Sequence, residues 1–188
     1  MRDLIVAQLD EQVRILEVGC GTGDLLFRAS HRIEYGFGVD LDHRMIAFAA
    51  ARMQKEKHPN LRFENQDITA LTDSLGQNFD VATSTLCLHE MREQDAITTL
   101  KLLTRVASKL IIADYGAPKT QWGKASIELD ELISGHYRRF AHYRSAGGMP
   151  NLARLAGLHL HAEIETPIDG IYIWILNGTE DRELTEPE

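Results

Sequence analysis

The residues whose types and spacing invite chemistry begin with the stretch ILEVGCGTGD at positions 15–24. Glu17 interrupts an apolar run, glycines follow at 19, 21 and 23, and Asp24 closes the stretch. Glycines so spaced after a strand mark a turn into a helix, where missing side chains let a ligand approach the backbone and free amides can donate to it. Acids recur at the ends of later apolar runs, as Asp40 in GVDLD, 21 positions after Gly19, and as Asp67 in NQDIT. The first is placed to accept from both hydroxyls of a ribose. The second can accept from an adenine amino group, with Ile68 against the ring. His89 and Glu90 follow a fourth apolar run, and Asp114 and Tyr115 a fifth. His89 or Glu90 could orient an acceptor or take its proton. Acids ahead of MREQDAITTL also favour a helix start, which is the preferred reading of Glu90.

The charges around the glycine turn select its ligand. The dinucleotide fingerprint needs its third small residue at position 24, where Asp24 stands. A carboxylate about 5 Å from a phosphate costs roughly 3 kcal/mol at an effective dielectric near 20, so Glu17 disfavours a pyrophosphate. A ligand without phosphate, carrying an ammonium and a sulfonium, turns the same acids into attractions. S-adenosylmethionine is such a ligand: its carboxylate can meet loop amides while Glu17, assisted by Asp24, orients its ammonium.

These residues need a sheet to hold them. The 188 residues predict one domain, and the net charge of −8 argues against a nucleic-acid partner. The acidic start MRDLIVAQLDEQ fits neither a signal peptide nor a membrane helix, which predicts a cytoplasmic protein with reduced Cys20 and Cys87 and no metal site. Five apolar runs, VRILEVG, YGFGVD, NLRFENQD, FDVATSTL and KLIIADYG, alternate with helical periodicities, the pattern of a doubly wound α/β parallel sheet. The third crossover, TALTDSLGQN, is too short for more than a helical turn or two. Residues 119–156 read as a helical insertion, a candidate lid over a single domain of 1–177. GLHLHAEIET and GIYIWILN form an antiparallel hairpin about Pro167–Gly170, and the acidic tail 178–188 is predicted to be disordered.

LEVGCGTGD, GVDLD, NQDIT and FDVATSTLCLHEM together resemble successive motifs of the class I S-adenosylmethionine-dependent methyltransferases, in the small-molecule branch that includes the ubiquinone/menaquinone-biosynthesis methyltransferases. The resemblance covers residues 12–117 and implies a Rossmann-like sheet in the order 3-2-1-4-5-7-6 with strand 7 antiparallel. Within these motifs Cys20, Leu41 and Thr85 are counted with Glu17, Gly19, Gly21, Gly23, Asp40, Asp67 and Ile68 as cofactor contacts. His89 and Tyr115 are the catalytic candidates. Asp80 reads as structural, and Cys87 as a small buried residue. STLCLHEM lacks the Asn/Asp-Pro-Pro-Tyr sequence of amide and adenine-amino methyltransferases, which favours carbon, oxygen or sulfur of a small molecule. Arg138 and Arg139, in HYRRFAHYR, would grip an anionic acceptor; otherwise the stretch is a solvated face paired with the acids of ELDE at 128–131. A non-catalytic S-adenosylmethionine-binding module acting through a protein partner is the alternative function.

Overall fold

The computed structural model describes residues 1–69, 79–135 and 137–178, so most of the third crossover and of the acidic tail lies outside it. Strands β1 (Arg14–Val18), β2 (Tyr35–Asp40), β3 (Leu61–Asn65), β4 (Phe79–Thr85), β5 (Ala107–Tyr115), β6 (Leu158–Glu165) and β7 (Ile171–Gly178) form one sheet in the order β3-β2-β1-β4-β5-β7-β6. The five strands read from the apolar runs are parallel, while β7 runs antiparallel to β5 and to β6. Ile15, Leu16, Glu17 and Val18 are all buried, as a central parallel strand covered on both faces requires. The apolar faces of the helices complete one cluster on each side of the sheet.

The chain winds outward from β1 to β3, then restarts beside β1 with β4. This reversal leaves a crevice at the carboxyl ends of the strands, the place where open sheets bind ligands. Helix α2 (Asp24–Ala29) buries Leu25, Leu26 and Ala29 as its periodicity predicts. Helix α3 (His43–Glu56) buries Ile46 and Ala49, while Met45 turns toward the crevice. Helix α4 (Glu93–Val106) buries Ala96, Ile97, Leu100 and Leu103. A short N-terminal helix, α1 (Arg2–Val6), packs on α2 and has no counterpart among the expected elements.

The 119–156 stretch is helical, but it is two different structures. Helix α7 (Gly148–Ala156) buries Met149, Leu152, Ala153 and Ala156 against α4, β5 and β6 and belongs to the covering layer. Helices α5 (Gln121–Ser134) and α6 (Tyr137–Ser145) form a cap above β5 and the single 3-10 turn at Leu88–Glu90. Phe140 and Tyr143 anchor α6, and the Tyr143 hydroxyl donates to the Tyr115 carbonyl at 2.8 Å. Helix α5 leaves Trp122, Leu129, Leu132 and Ile133 exposed. Its start is held from the β6–β7 turn: the Asp169 carboxylate accepts from the Lys119 amide at 2.7 Å, the Thr120 amide at 3.0 Å and the Thr120 hydroxyl at 2.5 Å. Thr120 in turn accepts from the Gly123 amide at 2.9 Å. Asp169→Ala is expected to destabilise the cap by about 1–3 kcal/mol, read as faster amide exchange in 121–134 with β1 and β4 unchanged.

Candidate active site

A cavity of about 730 Å³ opens along the carboxyl edge, and its wall contains Glu17, Gly19, Cys20, Gly21, Asp40, Leu41, Asp67, Ile68 and Thr85. Gly21 lies at φ +52° with nothing within 4 Å of where a Cβ would sit, so its backbone is open to a ligand. Gly23 does not line the cavity. It is the N-cap of α2 at φ +76°, and a Cβ there would stand 2.5 Å from the Phe63 ring, so this glycine serves helix packing.

The two acids at strand ends also organise their own loops. Asp40 Oδ2 accepts from the Gly21 amide and Oδ1 from the Asp42 amide, both at 2.8 Å, which ties the end of β2 to the glycine turn. Four lone-pair sites leave that carboxylate room for further donors. Asp67 Oδ1 accepts from the Thr69 amide at 2.9 Å and from its hydroxyl at 2.8 Å, an exposed turn with buried Ile68 between them.

Glu17 is the cavity's most unusual group. It is 2% exposed, and its Oε2 has no hydrogen-bond partner among the described residues. Desolvation pushes its pKa up to about 8; Arg2 opposes the rise, and Asp24 and Asp40 add to it. The Thr85 hydroxyl, on the same wall and near enough to oppose that rise, is also buried without a well-formed hydrogen bond among the described residues. Asp24 plays no such part: it lies outside the cavity wall, with Arg28 at 2.9 Å and Arg2 and Arg52 at 3.6 Å. The expected assistance from Asp24 to a bound ammonium is therefore absent, because arginines neutralise it on the outer face of α2.

Beyond the cofactor-type wall the cavity continues past Leu86, Cys87, Glu90, Met91, Arg92, Asp95, Thr98, Thr99 and Arg139. Leu86 holds φ +52°, a strained conformation for a branched residue at the end of β4. Desolvation, with Asp114 and Glu90 nearby, raises the Cys87 thiol to about 12, which agrees with an unreactive cysteine. His89 and Tyr115 lie behind this wall and do not line it; the neighbouring Glu90 does. His89 Nδ1 is 2.5 Å from Asp114 Oδ1, and Nε2 is 3.3 Å from Glu131 Oε1 and 3.8 Å from Glu90 Oε1. A neutral imidazole has one N–H and cannot satisfy acceptors at both nitrogens, so the geometry calls for an imidazolium. Burial alone would lower the pKa of His89, but Asp114, Glu131 and Glu90 together hold it above the usual value. Tyr115 meets the His89 ring edge-on at 4.7 Å.

The basic cluster divides. Arg139 lines the cavity and donates from Nη1 to the Glu90 carbonyl at 2.9 Å, while Arg138 is exposed away from it. Arg144 pairs with Glu128 at 2.8 Å, one of the acids expected to partner this helix. Asp80 accepts from the Arg14 amide at 2.7 Å, a structural bond at the opposite strand ends. Arg2 and the Thr98–Thr99 pair escaped sequence reasoning, and Glu90, for which the helix-start reading is preferred from sequence, lines the cavity.

The glycine turn, the acids at successive strand ends and the reversal of strand order place the chain in a known class. Residues 15–109 match the family described as Methyltransferase domain, and the chain belongs to that family. It is 31% identical over 106 residues to "Putative methyltransferase YqeM" of Bacillus subtilis (strain 168), covering 54% of this chain and 41% of that protein. It is 24% identical over 186 residues to indolepyruvate C-methyltransferase of Streptomyces griseus, covering 95% and 56%. The chain thus spans about half the length of these curated relatives. Its fold superposes with a TM-score of 0.67 on magnesium protoporphyrin IX methyltransferase (ChlM) from Synechocystis PCC 6803 with bound SAH, at 19% identity over 95% of this chain and 81% of that one.

The proton on Glu17 carries a pH signature. Because the folded pKa of about 8 exceeds the ordinary 4.5, the folded state binds the extra proton, and this stabilisation is lost as pH rises from 4.5 through 8. Chemical denaturation between pH 5 and 8 is expected to show stability falling by up to about 1.4 kcal/mol per pH unit. Glu17→Gln should flatten most of that slope. His89, also raised, contributes a slope of the same sign above its ordinary 6.5.

Proposed function

We propose that the protein transfers a methyl group from S-adenosylmethionine to carbon, oxygen or sulfur of a small-molecule acceptor by in-line displacement. The observation that carries this reading is the buried Glu17 carboxylate in the cavity wall, its Oε2 unpartnered among the described residues, on the same wall as the open backbone of Gly21. Such a group is costly in a pocket for phosphate or neutral ligands and suits an ammonium. Bound there, the cofactor would supply an electrophilic methyl on a sulfonium. Glu17 would hold the ammonium, Asp40 the ribose hydroxyls and Asp67 the adenine amino group, with Ile68 and Leu41 against the ring.

The acceptor belongs in the region walled by Glu90, Met91, Arg92, Thr98, Thr99 and Arg139. Holding it near 3 Å from the methyl with orbitals aligned supplies much of the rate. If the acceptor carries a proton, Glu90 and Asp95 are the carboxylates on the cavity side, Glu90 with His89 behind it, and α5 and α6 act as the lid. Arg139 and Arg92 at this end favour an acceptor with a carboxylate or phosphate. The relative named for indolepyruvate, itself a carboxylate, fits the same chemistry.

Incubating the protein with a cell extract and methyl-labelled S-adenosylmethionine is expected to label a small anionic compound, identified by mass spectrometry. Retention of labelled cofactor by native but not by boiled protein, with no labelled compound formed, would instead favour a non-catalytic binding module. Once an acceptor is in hand, Arg139→Ala should raise its KM about tenfold or more. Arg138→Ala, outside the cavity, should match the parent at low and high salt, and equal behaviour of the two variants would remove the case for an anionic acceptor.

A further inference from the structure

Three guanidinium groups belong to the cavity wall, those of Arg2, Arg92 and Arg139. Arg139 is committed to the Glu90 carbonyl, and Arg92 stands beside Met91 and Asp95 on the acceptor side. Arg2 has no such commitment. It comes from α1, which packs on α2, and therefore approaches the cavity from the side of the glycine turn. Among the described residues its only ion pair is with Asp24, at 3.6 Å through Nε, and Asp24 is already held more closely by Arg28 at 2.9 Å. Among the described residues the Arg2 side chain donates no hydrogen bond, so apart from the 3.6 Å approach of Nε to Asp24 its N–H groups are available beside the cavity.

Glu17 stands on the same wall, nine-tenths buried and more, with Oε2 unpartnered. Of the charges around it, that of Arg2 acts on it most strongly. The two side chains nevertheless form no ion pair with each other. A buried carboxylate with one unpartnered oxygen and a guanidinium held only by a 3.6 Å contact to Asp24, on one cavity wall but not paired with each other, match the two ends of a zwitterion. A free α-amino acid group is the zwitterion that a methionine-bearing cofactor presents.

We propose that Arg2 grips the α-carboxylate of the cofactor's amino-acid end while Glu17 takes its ammonium, so that the N-terminal helix closes that end of the cavity. The proposal rests on the S-adenosylmethionine reading given above. It adds a positioning residue from outside the glycine turn, and it changes what the turn is for. Loop amides no longer bear the carboxylate alone, and the Asp3–Arg28 pair at 2.9 Å, which fastens α1 to α2, becomes part of the cofactor's support.

Two probes separate the amino-acid end from the rest of the ligand: S-adenosylhomocysteine, and 5′-methylthioadenosine, which keeps the nucleoside and thioether but has no amino acid. By calorimetry, Arg2→Ala is expected to weaken S-adenosylhomocysteine about tenfold to a hundredfold and to leave 5′-methylthioadenosine within about twofold. Arg2→Lys keeps the charge and stem but loses the planar fork, and should fall between the parent and Arg2→Ala for S-adenosylhomocysteine only. The lysine variant decides the matter if the alanine variant melts early. Equal affinity of parent and both variants for S-adenosylhomocysteine, or a parallel loss for both probes, overturns the role of Arg2 and leaves the cofactor reading standing. A parent protein that binds neither probe overturns the cofactor reading, and the role of Arg2 with it.

Discussion

A carboxylate buried in the central strand of a parallel sheet is the constraint around which the rest of this structure is arranged. Glu17 sits between Thr83 and Gly38 in the register of β1 with its two neighbours, where an apolar residue would ordinarily stand. Its charged form is disfavoured by desolvation and by two nearby acids, and Arg2, with a smaller contribution from the Thr85 hydroxyl, counters them. The surroundings follow from that imbalance. Asp24 is kept from adding to it at close range by Arg28, Arg2 and Arg52, and Asp40 is turned to the amides of Gly21 and Asp42. The cavity is left with one acid that has an unpartnered oxygen and one guanidinium, that of Arg2, held among the described residues only by a 3.6 Å contact to Asp24.

A second buried charge cluster joins the cap to the sheet. Asp114 is wholly buried at the end of β5, His89 belongs to the turn after β4, and Glu131 projects from α5. Their shared proton requirement makes the docking of α5 conditional on an imidazolium, because a neutral ring would leave one nitrogen facing a carboxylate without a donor. Tyr143 adds a neutral hydrogen bond from α6 to the Tyr115 carbonyl, its own ionisation suppressed by burial. The cap is thus fastened by polar groups that sit directly behind the acceptor wall. Glu90 stands between the two environments, with its carboxylate 3.8 Å from His89 and its side chain in the cavity wall.

Much of this was legible in the sequence. Alternating apolar runs and helical periodicities define a parallel sheet because strands covered on both faces must be continuously apolar, and the proline and glycine of Pro167–Gly170 mark the hairpin. Acids at the ends of those runs necessarily gather at one edge, since parallel strands present their carboxyl ends together. So Glu17, Gly19, Cys20, Gly21, Asp40, Leu41, Asp67, Ile68 and Thr85 reach one cavity from four strand ends. Position along a strand is enough to place such residues, whatever the loops between them do.

The side on which a residue falls after its strand has ended was not legible. His89 and Glu90 are adjacent, and a single 3-10 turn sends the histidine into the buried cluster and the glutamate to the cavity, the reverse of the roles their residue types favour. Gly23 and Asp24 look like ligand contacts by spacing, but the helix that begins there turns them toward Phe63 and three arginines. The 119–156 stretch is helical by sequence, yet only packing separates α7, buried against the sheet, from the cap made by α5 and α6. The sequence by itself determined the sheet and the edge on which chemistry can occur, because hydrophobic period and strand direction are local properties of the chain. Tertiary structure decided which charges are left without partners there, because desolvation and pairing depend on residues as far apart as Arg2, Glu17 and Arg139 meeting at one cavity wall.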